Sequence, residues 1–422
     1  MRCRNAARLC LAGILVACVL PAERLGAQPV SRAQAVIEEH LYAGTLEAGE
    51  KALRALVAEA PADAEAQFAL GGVLLARAVE RFGQSLYRHG LQAPREGAMP
   101  LFSLPLAFNP NPEPLTYDAF RAILARLVED LDAAEAQLAR VGDNPVKLTV
   151  DIARIRLDLD GNGVADEREK LSSMFFSVLS AARRRNNWAI GSESLPVGFD
   201  LADVYWLRGY AHMMAVSAEF FLAHDFRTTF DATFHLFFPR AGLPFSRLVK
   251  EREPFVPGRP LDMGPILDFI AFIHLARWEV AEPQRLVSIH TRLKNVIALS
   301  RKTWAAVRAE TDDDNEWLPG PHQKGVLDMP VTDAMIDSWL AVLDEFEAVL
   351  DGRLLAPHPR FQRGINIRRV FTEPRPFDLV LWVTGHGVLP YLEDGPIVEG
   401  RAWNEAQRIF RGQFMTYAFW FN

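Results

Sequence analysis

Residues 201–223 are apolar on nearly every side of a helix. Val204, Leu207, Tyr210, Met213, Met214, Phe220 and Phe221 surround the axis of a 3.6-residue repeat, so a helix here is stable only inside a core supplied by other elements. The segment is expected to run through the core of the chain's second region. Its polar exceptions align, since Arg208, His212 and Glu219 recur at i, i+4 and i+11 and share one stripe. A buried Arg/His/Glu stripe either lines a pocket with a histidine base or metal ligand, or satisfies itself by pairing with neighbours. Arg208, His212 and Glu219 are therefore the candidate catalytic residues, and self-pairing is the simpler reading.

Helical spacing dominates elsewhere too. Helices are expected over 117–140, 166–182, 262–278, 284–310 and 332–350, the last capped by Thr332-Asp333. Residues 377–384 read either as a short strand or as one buried helix, and 94–114, with Pro105, Pro110 and Pro112, as a long loop. Near the start, Ala48, Ala52 and Ala55 recur at helical spacing, Pro61 follows, and Asp63 opens a segment with Phe68, Leu70, Gly71 and Leu74. This pattern over residues 33–80 resembles a tetratricopeptide repeat, about one and a half units of a stack that needs three or so. The resemblance implies helical hairpins, and the alternative is an ordinary antiparallel helix pair capping a larger helical body.

All nine tryptophans lie between Trp188 and Trp420, so an Ala/Leu-rich region precedes an aromatic-rich one, with the boundary near the basic stretch 183–187. The expected organisation is a signal segment at 1–27, tetratricopeptide-like helices over 28–110, a helical region with a calcium loop over 111–185, and an aromatic-rich helical domain over 186–422. The fold class is mainly α.

Residues 1–27 have a basic start, an apolar stretch from Leu9 to Ala22 and small residues at Gly26-Ala27, the anatomy of a cleaved secretory signal. An exported, periplasmic protein starting at Gln28 is expected. It would contain none of the three cysteines (Cys3, Cys10, Cys18), which excludes disulfides and cysteine-ligated zinc. Leu15-Val16-Ala17-Cys18 also resembles a bacterial lipobox, which would make Cys18 a lipid anchor. Later in the chain the longest apolar run, 265–276, is too short to span a membrane and contains Asp268 and His274. The formal charge of −7 would become −10 on losing a leader whose Arg2, Arg4, Arg8, Arg24 and Glu23 sum to +3. An acidic balance of this kind argues against a nucleic acid partner.

The most specific motif is Asp158-Leu159-Asp160-Gly161-Asn162-Gly163-Val164-Ala165-Asp166-Glu167-Arg168-Glu169. It resembles an EF-hand loop and matches at every ligand position of the twelve. The resemblance implies calcium as cofactor, with side-chain oxygens from Asp158, Asp160 and Asn162, the backbone carbonyl of Val164, a direct or water-mediated contact from Asp166, and two oxygens from Glu169. Gly163 permits the sharp turn. Magnesium is disfavoured, because its octahedral shell fits poorly around a bidentate glutamate. The flanks depart from a regulatory EF-hand: residues 148–157 alternate irregularly, Arg154 replaces an apolar residue of the incoming helix, and Ala165 stands where a larger β-former would pair with a sister loop. No second loop matches, since 312–316 (Asp-Asp-Asp-Asn-Glu) lacks the turn glycine and the spacing. A structural clamp is expected rather than a sensor, with Met174, Phe175 and Phe176 buried with or without calcium.

The remaining histidines carry less. His290 shares a face with Leu286, Leu293 and Ile297 and reads as a packed core residue. His224-Asp225 and the pair Asp231/His235 join His212 and Glu219 only if the chain folds back, and His386 lies between two glycines in a turn. No nucleophile elbow, Walker loop or dinucleotide fingerprint occurs. The expected function is a calcium-binding helical module that binds or assembles with an unknown protein or peptide partner. The alternative is a periplasmic, hydrolase-like enzyme with a pocket around Arg208, His212 and Glu219.

Overall fold

The computed structural model describes residues 31–92, 104, 106–171, 194–248 and 263–422. The leader with its cysteines, the boundary at 183–187, Trp188 and Met174–Phe176 lie outside the described residues. Thirteen α-helices occur among those described: α1 Arg32–Ala43, α2 Leu46–Glu59, α3 Ala64–Arg88, α4 Tyr117–Leu138, α5 Leu201–Ala223, α6 Arg227–Thr233, α7 Gly264–Leu275, α8 Pro283–Ala309, α9 Asp333–Leu350, α10 Ile367–Thr372, α11 Leu379–Thr384, α12 Arg401–Ile409 and α13 Phe414–Phe421. Seven short strands accompany them. β1 Leu148–Asp151 pairs antiparallel with β2 Pro196–Phe199, placing Val150 opposite Val197. β3 His224–Asp225, β4 Arg277–Val280 and β6 Phe377–Asp378 form an antiparallel sheet in that order. β5 Gly364–Ile365 pairs with β7 Leu392–Glu393. The chain is mainly α.

Side-chain caps begin the long helices where the sequence placed them. Asp63 accepts from Ala66 N at 3.0 Å, Thr116 from Ala119 N at 3.1 Å and Thr332 from Met335 N at 3.3 Å. Asp200 and Asp203 close a reciprocal capping box on α5. Helices α3, α4, α5 and α8 then pack in succession, so α5 lies between α4 and α8. Its Val204 enters an apolar core shared with α1–α4, whereas Trp206 enters a second core with α8, α9 and the C-terminal helices. The apolar segment 201–223 is thus enclosed by helices from both ends of the chain. Trp206 Nε1 donates to Trp420 O at 2.8 Å and Asn422 Nδ2 donates to Trp206 O at 2.7 Å, which fixes α13 against α5.

Phe226, Phe230, Phe234 and Phe238 recur at one helical turn and close around Phe120 of α4. The ring centroids of Phe120 and Phe234 lie 5.0 Å apart, edge to face, a favourable aromatic arrangement. Aromatic residues at helical spacing here are core.

Three segments depart from the helical reading. The helix expected to begin at Asp166 is a 3-10 turn over Glu167–Glu169, and Lys170 is extended. Backbone pairing with the incoming strand wins there, as Leu157 N donates to Glu169 O and Leu171 N to Ile155 O. The helix expected over 262–278 ends at Leu275, because Arg277–Val280 joins the sheet and Trp278 Nε1 donates to Thr229 Oγ1 at 2.8 Å. Residues 377–384 are neither a strand nor a buried helix but two residues of β6 followed by α11, in which no residue is buried.

Phe120 is wholly buried among phenylalanine rings. Phe120→Ala is expected to lower the stability of the protein by about 3–5 kcal/mol. Urea denaturation reads this directly, and an unchanged midpoint would mean that the ring cluster is not core.

Candidate metal centre

Loop 158–169 is held at both ends and along one flank. Its ends are tied by the short ladder between 155–157 and 169–171, and Arg156 N donates to Leu41 O at 3.0 Å, joining the ladder to α1. On the α3 side, Asp158 N donates to Glu80 Oε1 at 3.0 Å and Gln84 Nε2 donates to Asp158 O at 2.8 Å. Glu80 is itself buried and ion-paired with Arg77 at 2.6 Å. Leu157 and Leu159 are buried in the core of the helical hairpins. Ala165 meets Gly44, the residue with φ +70° that turns α1 into α2, so closely that a Cβ on Gly44 would collide with it. Position eight of the loop thus faces the α1–α2 turn, and the small side chain at Ala165 is required by that contact.

Inside the loop, Asp158, Asp160 and Glu169 bring carboxylate oxygens within 4.8 Å of one another. The turn that does this depends on Gly163 at φ +85°, a conformation costly for a side-chain-bearing residue. Asp158 accepts from Asn162 N at 3.1 Å and from Gly163 N at 3.0 Å, which wraps the loop around its first carboxylate. Glu169 is only 6% exposed and accepts from Leu159 N, Asp160 N and Asp166 N. Burial raises its carboxyl above the ordinary value, with the backbone donors working the other way. Three further residues of the expected ligand set have other partners or face solvent. Asn162 is hydrogen-bonded to Asp160 and to Val164 N, Val164 is exposed, and Asp166 pairs with Arg168. The incoming flank is β1 and a turn rather than a helix. A groove of about 1250 Å³ runs beside the loop between α2 and α3, lined by residues including Lys51, Arg54, Tyr87, Arg88, Asp158 and Asp160.

The Arg208/His212/Glu219 stripe is consumed by its neighbours. Arg208 Nε donates to Glu135 Oε1 of α4 at 2.9 Å. Arg292 of α8 pairs with Glu219 at 3.2 Å and donates to both oxygens of Asp132 at 2.7 and 2.9 Å. His212 lies 3.4 Å from Arg292 and 3.8 Å from Glu135, and burial lowers its pKa. The stripe joins α4, α5 and α8 and does not line the groove beside the loop.

Other histidines do not converge. His290 is half-buried and donates to Leu350 O at 2.8 Å, His386 is exposed in a turn, and His224 and His235 are buried. Among the described residues, the two clusters of possible metal-ligating side chains contain carboxylates alone. The second cluster was not legible as a motif: Asp200, Glu310 and Glu316 come from the start of α5, the end of α8 and the following loop. Only the acidic run at 312–316 signalled it. Burial pushes Glu310 up to about 8 and Glu316 up to about 7, reinforced in both by Asp200. Burial likewise raises Asp203 beside them.

No family model matches this chain, and no curated protein or solved structure matches it either.

Two measurements test the polar interior. Removing Arg292 takes the nearest cation from buried Glu219, leaving it the Ser288 hydroxyl and Arg285 at 4.0 Å, so Arg292→Ala is expected to cost about 3–5 kcal/mol by chemical denaturation. Burial holds His224 below its ordinary value of 6.5, with its Nδ1–H donating to Phe220 O. The unfolded chain then binds the proton more readily, so the stability His224 contributes is present above about pH 6.5 and is lost as pH falls below it. An imidazole titration by NMR with a midpoint at or above 6.5 would contradict this.

Proposed function

We propose that this chain is an exported, mainly helical binding module in which one calcium ion clamps loop 158–169 against α1–α3. The observation that carries the reading is the convergence of Asp158, Asp160 and Glu169 within 4.8 Å in a loop whose sequence resembles an EF-hand at every ligand position. Three carboxylates at that separation repel one another, and a divalent cation converts the repulsion into attraction. An oxygen-only donor set with a buried glutamate suits calcium, a hard ion that takes six to eight oxygens. Asn162, Val164 and Asp166 would complete the shell by small movements of exposed side chains and backbone.

Packing around the loop supports a clamp over a switch. Position eight is taken up by the α1–α2 turn, leaving no place for the sister loop that sensor pairs require. Ordering the loop fixes one wall of the groove between α2 and α3, and that groove is the surface assigned to a protein or peptide partner. Lys51, Arg54 and Glu47 are exposed there, which suits a charged segment. The basic start, apolar stretch and Gly26-Ala27 of the N-terminal segment support export to the periplasm, with lipidation at Cys18 as the alternative to cleavage after Ala27. The enzyme reading loses its support, because Arg208 and Glu219 are held in ion pairs between helices and His212 is packed between Glu135 and Arg292. No described helix is long and apolar enough to cross a membrane.

Calcium is expected to raise the thermal midpoint, contributing about 2.7 kcal/mol at one hundred times its dissociation constant. Glu169→Gln should remove most of that shift. Hydrogen exchange should show calcium-dependent protection confined to the loop and its ladder. Increased binding of an apolar dye on adding calcium would instead show a switch, and calorimetry with no uptake at millimolar calcium would overturn the assignment.

A further inference from the structure

Helix α7 turns its apolar side outward. At about 100° per residue, Ile266, Leu267, Phe269, Ile270, Ala271 and His274 span an exposed arc of roughly 200°. Phe269 is 64% exposed and Leu267 59%. The acid of this helix, Asp268, falls on the opposite side and is half-buried. That inner side is fastened to the body of the protein: Thr229 Oγ1 of α6 donates to Leu275 O at 2.6 Å, and Leu379 N at the start of α11 donates to Ala276 O at 2.9 Å. Helix α11 packs beside α7 and adds two more exposed apolar side chains, Leu381 and Val383. Exposed apolar clusters of this extent mark a surface that meets an apolar partner.

Charge decides which partner. Asp378, the cap of α11, has its side chain only 14% exposed and holds Arg277, whose own side chain stands 72% exposed just past the end of α7. Arg360 is exposed at the far end of α11, where its Nη1 donates to Thr384 O at 2.7 Å, and it has no carboxylate partner among the described residues. Residues 358–378, which lead into α11, carry five arginines against Glu373 and Asp378, a balance of +3 in a chain of −7. Cations therefore face outward at the ends of the two helices, while Asp268 and Asp378 turn in. An arc this wide exceeds the stripe of about 100° that a helix buries against one protein surface, whereas a headgroup layer wraps a helix immersed in it. A second copy of the chain would bring another basic segment and no outward acid from either helix. The twelve residues of α7 reach about 18 Å, short of the ~30 Å hydrocarbon core, so the helix suits lying along a bilayer and not crossing it.

We propose that α7 and α11 form a membrane-surface face that rests in the headgroup layer of an anionic lipid bilayer. Ile266, Leu267, Phe269 and Ile270, with Leu381 and Val383, enter the acyl boundary, and Arg360 meets lipid phosphate. The face is independent of loop 158–169 and of calcium.

Flotation with lipid vesicles tests this on the full chain, with Cys18→Ser in every protein so that no acyl chain at that residue contributes. The protein is expected to float with mixed phosphatidylcholine–phosphatidylglycerol vesicles in the presence of a calcium chelator, and less as salt is raised. Phe269→Glu combined with Ile270→Glu should weaken binding at least tenfold, because two apolar side chains no longer enter the bilayer. Both positions are exposed, so the thermal midpoint should not change. Val383→Glu on α11, 71% exposed, is the second variant and should also weaken binding. Arg360→Gln should weaken binding to the mixed vesicles about fivefold and leave binding to pure phosphatidylcholine unchanged. No flotation of the parent protein overturns the proposal. Flotation that the α7 and α11 variants leave intact also overturns it, since the leader or another surface would then carry the binding. A dimer in sedimentation equilibrium that Phe269→Glu disperses, without vesicle binding, would assign the face to a second copy instead.

Discussion

Everything in this fold answers to α5, an apolar helix of which only Met213 and Ser217 are exposed. No single partner covers a helix so apolar, so α4 and α8 both pack on it, and the C-terminal helix is hydrogen-bonded to its Trp206. The polar side chains that α5 carries must then be satisfied in the interior. Arg208 and His212 meet Glu135, and Glu219 meets Arg292, which also holds Asp132. These contacts fix the rotation of three helices at once, because each arginine reaches across an interface. Ion pairs of this kind add little to stability compared with apolar residues of the same shape, but a shift in helix register would leave a charge buried alone.

The two carboxylate centres sit at the edges of this packed centre and share a logic. Each gathers acidic side chains from positions that the backbone fixes for other reasons. In loop 158–169 the ladder between 155–157 and 169–171 closes the ends, and Glu80 and Gln84 of α3 hold Asp158. At the other centre the capping box of α5 turns Asp200 and Asp203 inward, while the close of α8 delivers Glu310. Neither arrangement rests on a pair of long helices flanking a loop.

How much of this was legible in the sequence differs element by element. Residues 201–223 were read to the residue, because an unbroken apolar helix with an aspartate cap and a polar strand after it leaves few alternatives. Helices α8 and α9 were read to within one residue of each end for the same reason of caps and periodicity. Residues 166–170 misled, since acidic caps followed by apolar residues look like a helix start and only the backbone pairing with 155–157 shows otherwise. Helix α7 shows the limit of composition. It is as apolar as α5, yet Ile266, Leu267, Phe269 and Ile270 are exposed. Periodicity cannot tell the two apart, because burial depends on which elements arrive to cover a helix and not on the helix itself.

Of the candidate sites, the loop was legible as a motif because it is one contiguous run of twelve residues, and the structure brings its Asp158, Asp160 and Glu169 together. The stripe on α5 was legible as a stripe, but its chemistry was not. Glu135, Asp132 and Arg292 lie on helices some 70 to 90 residues away, and their identity decides whether His212 is a base or a packed ring. The Asp200/Glu310/Glu316 cluster was illegible, since its members are separated by 110 residues and then by six. What brings them together is the antiparallel return of α8 along α5. The helix pair that the apolar segment demands is therefore also what assembles the second centre, and the packing requirement and the acidic cluster are two consequences of one geometry.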